Sequence, residues 1–304
     1  MHRFILALFI TVLSLSACAP MMGGALLLRD HPLTGRIWDV GNSRFIDTQT
    51  AFQRAMQSEL VLLGETHDNA EHHRLQIEVL NFLAAQGLRP TLLLEQFDTE
   101  QQAALDSALG SGADPATLLR GWDAAQYRPL LAQAAAQKLP LVAANLSRTA
   151  ARPLVREGFA AMPAQDKQSL AIDAAWDERR ESYLAGVIDN SHCGAITPQL
   201  GAGLVRAQRW RDATLADTAL RHIGQRSVFI LGRGHARRDI GVPRYIEVRR
   251  SGTRMLSIGF VEVSAGEMDP AGYEAANAGE PAHDLLWFTA RTERPDPCLA
   301  FKNK

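Results

Sequence analysis

The sequence predicts an α/β fold: a mostly parallel central sheet flanked by helices, with a helical insert and a C-terminal antiparallel hairpin. Two observations carry this. Four short apolar runs, Val61-Leu62-Leu63, Thr91-Leu92-Leu93-Leu94, Leu141-Val142-Ala143-Ala144 and Val228-Phe229-Ile230-Leu231, read as strands buried on both faces. Helical stretches separate the first three, which is the β-α-β order of a parallel sheet.

The elements follow in order. Trp38-Asp39-Val40 and Arg44-Phe45-Ile46 flank the turn Gly41-Asn42-Ser43 and predict a small hairpin. Residues 51–58 form a short helix. After Gly64-Glu65-Thr66-His67, Asp68 or Asn69 caps a helix whose Leu75, Val79, Leu80, Phe82 and Leu83 share one face, closed by Gly87. Asp98 opens a capped helix after the second strand, and Asp114-Pro115 opens another. Trp122 and Tyr127 bracket a loop before Pro129, and an Ala-rich helix leads to the third strand. Residues 150–224 contain no strand. This insert holds short helices around Leu154, Leu170 and Tyr183, then a long helix from Pro198. Tyr245-Ile246-Glu247-Val248 and the run 255–261 alternate like two strands joined at Ser251-Gly252, the expected hairpin. Leu285-Leu286-Trp287-Phe288-Thr289 is the last strand.

If the core strands are parallel, their C-terminal ends meet on one rim, where open α/β sheets place their sites. That rim gathers Glu65, His67, Glu95, Asn145 and His235. Each of these, taken singly, could merely cap a helix. Together, carboxylates and imidazoles at strand ends suit a metal or a cofactor. His72 and His73 follow on the next helix, and one of them faces the rim. Tyr127, Tyr183 and Tyr245 could supply a tyrosinate to haem iron. Arg148, Arg233, Arg237 and Arg238 stand near strand ends, where guanidinium groups pair with carboxylates such as haem propionates. Gly232-Arg233-Gly234-His235 is not a dinucleotide fingerprint, because position 237 is Arg. Neither a G-x-S-x-G elbow nor an H-E-x-x-H motif occurs.

The chain has 304 residues and a formal net charge of -1, which argues against nucleic-acid binding. Residues 1–17 read as a signal peptide: Arg3 precedes an apolar run too short for a comfortable transmembrane helix. Leu15-Ser16-Ala17-Cys18 resembles a bacterial lipobox, which implies cleavage before Cys18 and its acylation. Ala19 after the cysteine favours the outer membrane, by resemblance to Gram-negative lipoproteins. Residues 18–35 then form a membrane tether, and 36–304 a single domain facing the periplasm. Cys193 and Cys298 remain as a pair that an oxidising compartment would permit to bridge.

Leu63-Gly64-Glu65-Thr66-His67-Asp68-Asn69, followed by His72-His73-Arg74-Leu75-Gln76, resembles the signature of ChaN-like haem-binding uptake lipoproteins. These belong to the Tiki/TraB/erythromycin-esterase-like superfamily. Leu94-Glu95-Gln96-Phe97-Asp98, Ala143-Ala144-Asn145-Leu146, His192-Cys193-Gly194, the stretches 207–213 and 232–243, and Asp296-Pro297-Cys298 match in the same order. The resemblance implies haem binding for iron acquisition at the outer membrane, with lipid held through acylated Cys18. Haem contacts are expected from Glu65, His67, His73, Glu95, Tyr127, Asn145, Arg233 and His235. A haem-bridged homodimer and a haem receptor are the partners in view. The second reading is a periplasmic hydrolase or peptidase in which Glu65, His67, Glu95 and His235 hold a divalent ion and Glu65 or Glu95 acts as base.

Overall fold

The computed structural model describes residues 24–273 and 280–299. The signal segment 1–17, Cys18 and part of the expected loop 265–282 lie outside the described residues.

The strands are β1 (Leu26–Leu27), β2 (Ile37–Asp39), β3 (Arg44–Ile46), β4 (Leu60–Glu65), β5 (Thr91–Asp98), β6 (Leu141–Asn145), β7 (Ser227–Gly232), β8 (Met255–Glu262), β9 (Leu285–Thr289) and β10 (Arg291–Thr292). The main sheet has the order β3-β2-β9-β8-β4-β7-β5-β6. From β9 to β6 all neighbours are parallel. The β2–β3 hairpin adds antiparallel to β9 at one edge. A second small ladder joins β1 to β10.

Alternation along each strand sorts side chains to two layers. Val61 and Leu63 of β4, Leu92 and Leu94 of β5, and Val228 and Ile230 of β7 enter one core. There they meet α1 (Thr48–Gln57), α2 (Ala70–Ala85) and α4 (Ala124–Ala136). Leu60, Leu62, Leu93, Phe229 and Leu231 enter the other, beneath α5 (Arg148–Glu157), α8 (Pro198–His222) and α9 (Val242–Arg249). Both faces are covered, so the strands read as continuous apolar runs. The remaining helices are α3 (Gln102–Ser111), α6 (Ala164–Ser169) and α7 (Glu178–Ser191). Among the described residues no helix is long and apolar enough to cross a membrane.

The helices between β6 and β7 are α5 to α8. The loop between α7 and α8 is tied to the C-terminal segment by a Cys193–Cys298 disulfide, with Cα atoms 5.7 Å apart. Gly203 lets α8 approach α5 closely; a Cβ there would stand 2.6 Å from the Val155 carbonyl oxygen.

Three expectations are corrected. The C-terminal hairpin does not form: residues 245–248 belong to helix α9. Val242, Tyr245 and Ile246 are buried on one face at i, i+3 and i+4, and Pro243 sits in the first turn. Four residues were too few for alternation to tell strand from helix. The expected second strand exists as β8 but pairs in parallel with β4 and β9. The loop before Pro129 is instead the first turn of α4, started by Asp123, whose carboxylate accepts from the Ala125 N–H at 2.9 Å. Part of the expected tether 18–35 packs into the fold instead. Leu26 and Leu27 pair with β10, and Leu33 is buried against Val261, Val263, Leu286 and Phe288.

Candidate functional site

The same alternation places the functional side chains. Glu65 continues the Val61–Leu63 side of β4 and reaches the α2–α4 layer, and Gln96 of β5 joins it there. Glu95 continues from Leu93 to the α8 layer. The carboxylates of adjacent motifs are thus separated by the pleat.

Glu65 is buried at the centre of a donor cluster. The Tyr127 hydroxyl donates to Oε1 at 2.5 Å. The Gln76 amide donates to Oε2 at 2.6 Å, and the Gln96 amide to Oε1 at 3.1 Å. His67 Nδ1 lies 2.9 Å from Oε1. His73 Nε2 lies 3.3 Å from Oε2, and its Nδ1 is 3.2 Å from the Gln126 carbonyl oxygen. Burial alone would raise the Glu65 pKa; hydrogen bonds from His67 and His73 and their charges outweigh it and hold the carboxyl far below its usual range. Burial and the neighbouring Glu65 charge push the Tyr127 phenol upward, so it stays a protonated donor.

His67 stands on the turn between β4 and α2. Asn69 caps α2 by accepting from the Glu71 N–H at 2.9 Å. Beneath the turn, His72 Nδ1 accepts from the Thr66 N–H at 2.8 Å and its Nε2 meets the Thr289 hydroxyl at 2.8 Å. Burial lowers the His72 pKa to about 3, so this histidine is a neutral structural strut. Outside it, Arg294 grips Asp68 at 2.5 and 2.6 Å and Glu262 at 2.6 and 2.7 Å. The turn is therefore fixed from both sides, while the His67 side chain remains 43% exposed. Burial opposes its protonation, but the Glu65 hydrogen bond and the charges of Glu95, Glu65 and Asp68 raise its pKa.

On the other face, Glu95 Oε2 accepts from the Gly232 N–H at 2.6 Å, and His235 Nε2 lies 3.4 Å from Oε1. His235 Nδ1 meets Asp212 of α8 at 2.5 Å, and the Gln208 amide touches the same ring at 3.1 Å. Burial works against the imidazolium, yet Glu95 and Asp212 raise the His235 pKa; burial also raises that of Asp212. Gly232 separates the two clusters. A Cβ there would stand 2.9 Å from His67 Nε2 and 3.6 Å from Glu95 Oε2.

A cavity of about 690 Å3 opens at this rim. Of the expected residues, His67, Glu95, Tyr127 and Asn145 line it. Glu65, His73 and His235 lie behind it as supports. Arg233 is exposed, does not line it, and reaches the site through its backbone N–H, which donates to the Glu65 carbonyl at 2.8 Å. Tyr183 and Tyr245 lie in the α7–α9 layer instead. Trp122 forms a wall, edge-on to His67 at 4.8 Å between centroids. Arg120, Arg148 and Arg211 border the mouth. Asn145 Oδ1 and Gln126 Oε1 are buried without a hydrogen-bond partner among the described residues. Sequence reasoning did not give Asp212 and Gln208 a role. Their spacing of one helical turn on the buried side of α8 was the available signal.

The expected divalent-ion set is not assembled. Among the described residues no group of three or more His, Cys, Asp and Glu is arranged to hold a metal ion. The pleat directs Glu65 to one layer and Glu95 to the other, and each carboxylate is occupied by its own donors.

An open parallel sheet whose carboxyl rim carries an aromatic-walled cleft of imidazole, carboxylate and guanidinium groups defines a ligand-binding α/β domain. The chain belongs to the ChaN family of haem-binding uptake proteins, within the Tiki superfamily, whose family model matches residues 51–246. Among solved structures, ChaN of Campylobacter jejuni, described with cofacial haem, superposes with a TM-score of 0.67 at 21% identity, covering 83% of this chain and 95% of that one. It shares the fold. An erythromycin esterase in an open conformation has a TM-score of 0.46 at 12% identity, over 81% and 94% of the two chains. No curated protein matches significantly.

Proposed function

We propose that this chain is a periplasm-facing, outer-membrane lipoprotein of haem acquisition, and that haem enters the rim cavity with His67 toward its iron. One observation carries the site. Glu65 holds the Nδ1–H of a half-exposed imidazole, which leaves Nε2 as the nitrogen that a metal would take in exchange for its proton. This carboxylate–histidine pairing is the support metal-ligating histidines receive. The rest of the cavity fits the macrocycle: Trp122 offers an aromatic wall, and Arg120, Arg148 and Arg211 can take the propionates. Haem is cargo here, and supplies the iron. Tyr127 lines the wall rather than offering a phenolate, because its hydroxyl is committed to a buried anion.

Titration of the purified, acyl-free protein with hemin should give a saturable Soret shift. Binding no tighter than to an unrelated control protein would end this reading. A homodimer bridged by haem would appear as a haem-dependent mass increase in sedimentation, and a haem receptor is the partner such cargo requires. The lipoprotein part rests on Leu15-Ser16-Ala17-Cys18. In a Gram-negative host Cys18→Ala should abolish palmitate labelling, and label retained on that variant would contradict it.

A further inference from the structure

The rim cavity has a neighbour. Helices α5, α7 and α8 border an open groove of about 440 Å3. Its floor is apolar, formed by Val155, Ile188 and Leu204, and its edge carries Arg148, Arg152 and Arg211. No salt bridge joins any of the three arginines to a described residue; Asp98 acts on Arg148 and Arg211 only through space. Arg148 and Arg152 stand one turn apart on α5, where like charges repel. These cations thus border a greasy floor, and among the described residues none of them is closed off by a salt bridge of its own. His192 closes one end. Its Nδ1 is turned back to the Ile188 carbonyl at 2.7 Å, and the adjacent Cys193–Cys298 bridge holds that end in place.

We propose that this second cavity binds a single-chain aliphatic carboxylate of medium length. The carboxylate meets Arg152 and Arg148, and the hydrocarbon lies on Val155, Ile188 and Leu204. The argument is charge complementarity above an apolar floor of limited volume, and it does not depend on haem. A consequence does rest on the haem reading. Arg148 and Arg211 line both cavities. A carboxylate bound here therefore draws on the cations that haem propionates would use, and the two ligands oppose each other.

The test is calorimetric titration of the haem-free Cys18→Ala chain, which carries no acyl group of its own, with decanoate below its micellar concentration. One saturable site per chain is expected. Octanoate should bind roughly ten-fold more weakly, since each buried methylene contributes to affinity. Arg152 is exposed, so Arg152→Glu should fold normally by circular dichroism and weaken decanoate at least about ten-fold, whereas Arg152→Lys should retain much of it. No saturation, equal affinity of Arg152→Glu, or equal binding of the two chain lengths would overturn the site. Saturating decanoate should also raise the apparent hemin Kd of the Cys18→Ala chain but not of its Arg152→Glu derivative. An unmoved hemin Kd overturns the coupling, while a chain that binds decanoate but no hemin refutes the haem reading alone.

Discussion

Tyr127→Phe separates the two roles a tyrosine at this cavity could play. The substitution keeps the ring, which packs at 4.5 Å from His73 and 5.8 Å from Trp122 between centroids. It removes only the hydroxyl that donates to Glu65 at 2.5 Å. A hydrogen bond to a charged group contributes about 1.5–3 kcal/mol. Glu65 Oε1 keeps Gln96 and His67 as partners, so it is not orphaned, and the loss should fall near the lower end, about 1.5–2 kcal/mol. Chains of this size lose about 2 °C of Tm per kcal/mol, which gives a fall of roughly 3–4 °C. Urea and thermal unfolding at neutral pH measure both. Hemin should still bind, with the Soret maximum of the wild type, because on the proposed reading the phenol serves the buried Glu65 carboxylate and His67 faces the iron. Undiminished stability would refute the described cluster; a lost or displaced Soret band would refute the assignment of the phenol.

Further outcomes follow from other contacts. Gly232→Ala places a Cβ 2.9 Å from His67 Nε2, so the imidazole must shift and hemin affinity should fall about ten-fold; unchanged affinity would count against His67. Glu262 has a pKa of about 2: burial would raise it, but hydrogen bonds from Arg294 and Asn69 prevail. Its stabilising contribution, roughly 1–2 kcal/mol after screening, is complete above the ordinary carboxylate range and is lost as pH falls toward about 2. Glu262→Gln should flatten acid unfolding over that window, and an unaltered profile would contradict the Arg294 clamp. Reducing Cys193–Cys298, which closes a loop with a sequence separation of 105, should cost about 2–5 kcal/mol in urea unfolding with and without reductant.

The core strands were legible because burial on both faces leaves a continuous apolar run that needs no partner to be recognised. Their order was not, since β7 inserts between β4 and β5 only through tertiary contacts. The helix α9 was misread because Tyr245-Ile246-Glu247-Val248 is too short for either period to prevail. Within the site, strand-end residues were visible by position, and the structure pairs Glu65 with His67 in one layer and Glu95 with His235 in the other. Whether they point to one ligand or to two layers depends on strand parity, which fixes Glu65 toward Tyr127 and Glu95 toward Asp212. Arg233 shows the limit: its sequence position adjoins the site and its backbone N–H meets the Glu65 carbonyl, yet the residue does not line the cavity.

Locating the iron by anomalous scattering in crystals of the hemin-loaded protein tests the central claim most directly. The iron should lie in the cavity walled by Trp122, coordinated by His67 Nε2, with the propionates toward Arg120, Arg148 and Arg211. Iron elsewhere on the molecule, or iron in this cavity ligated by Tyr127, would contradict the account.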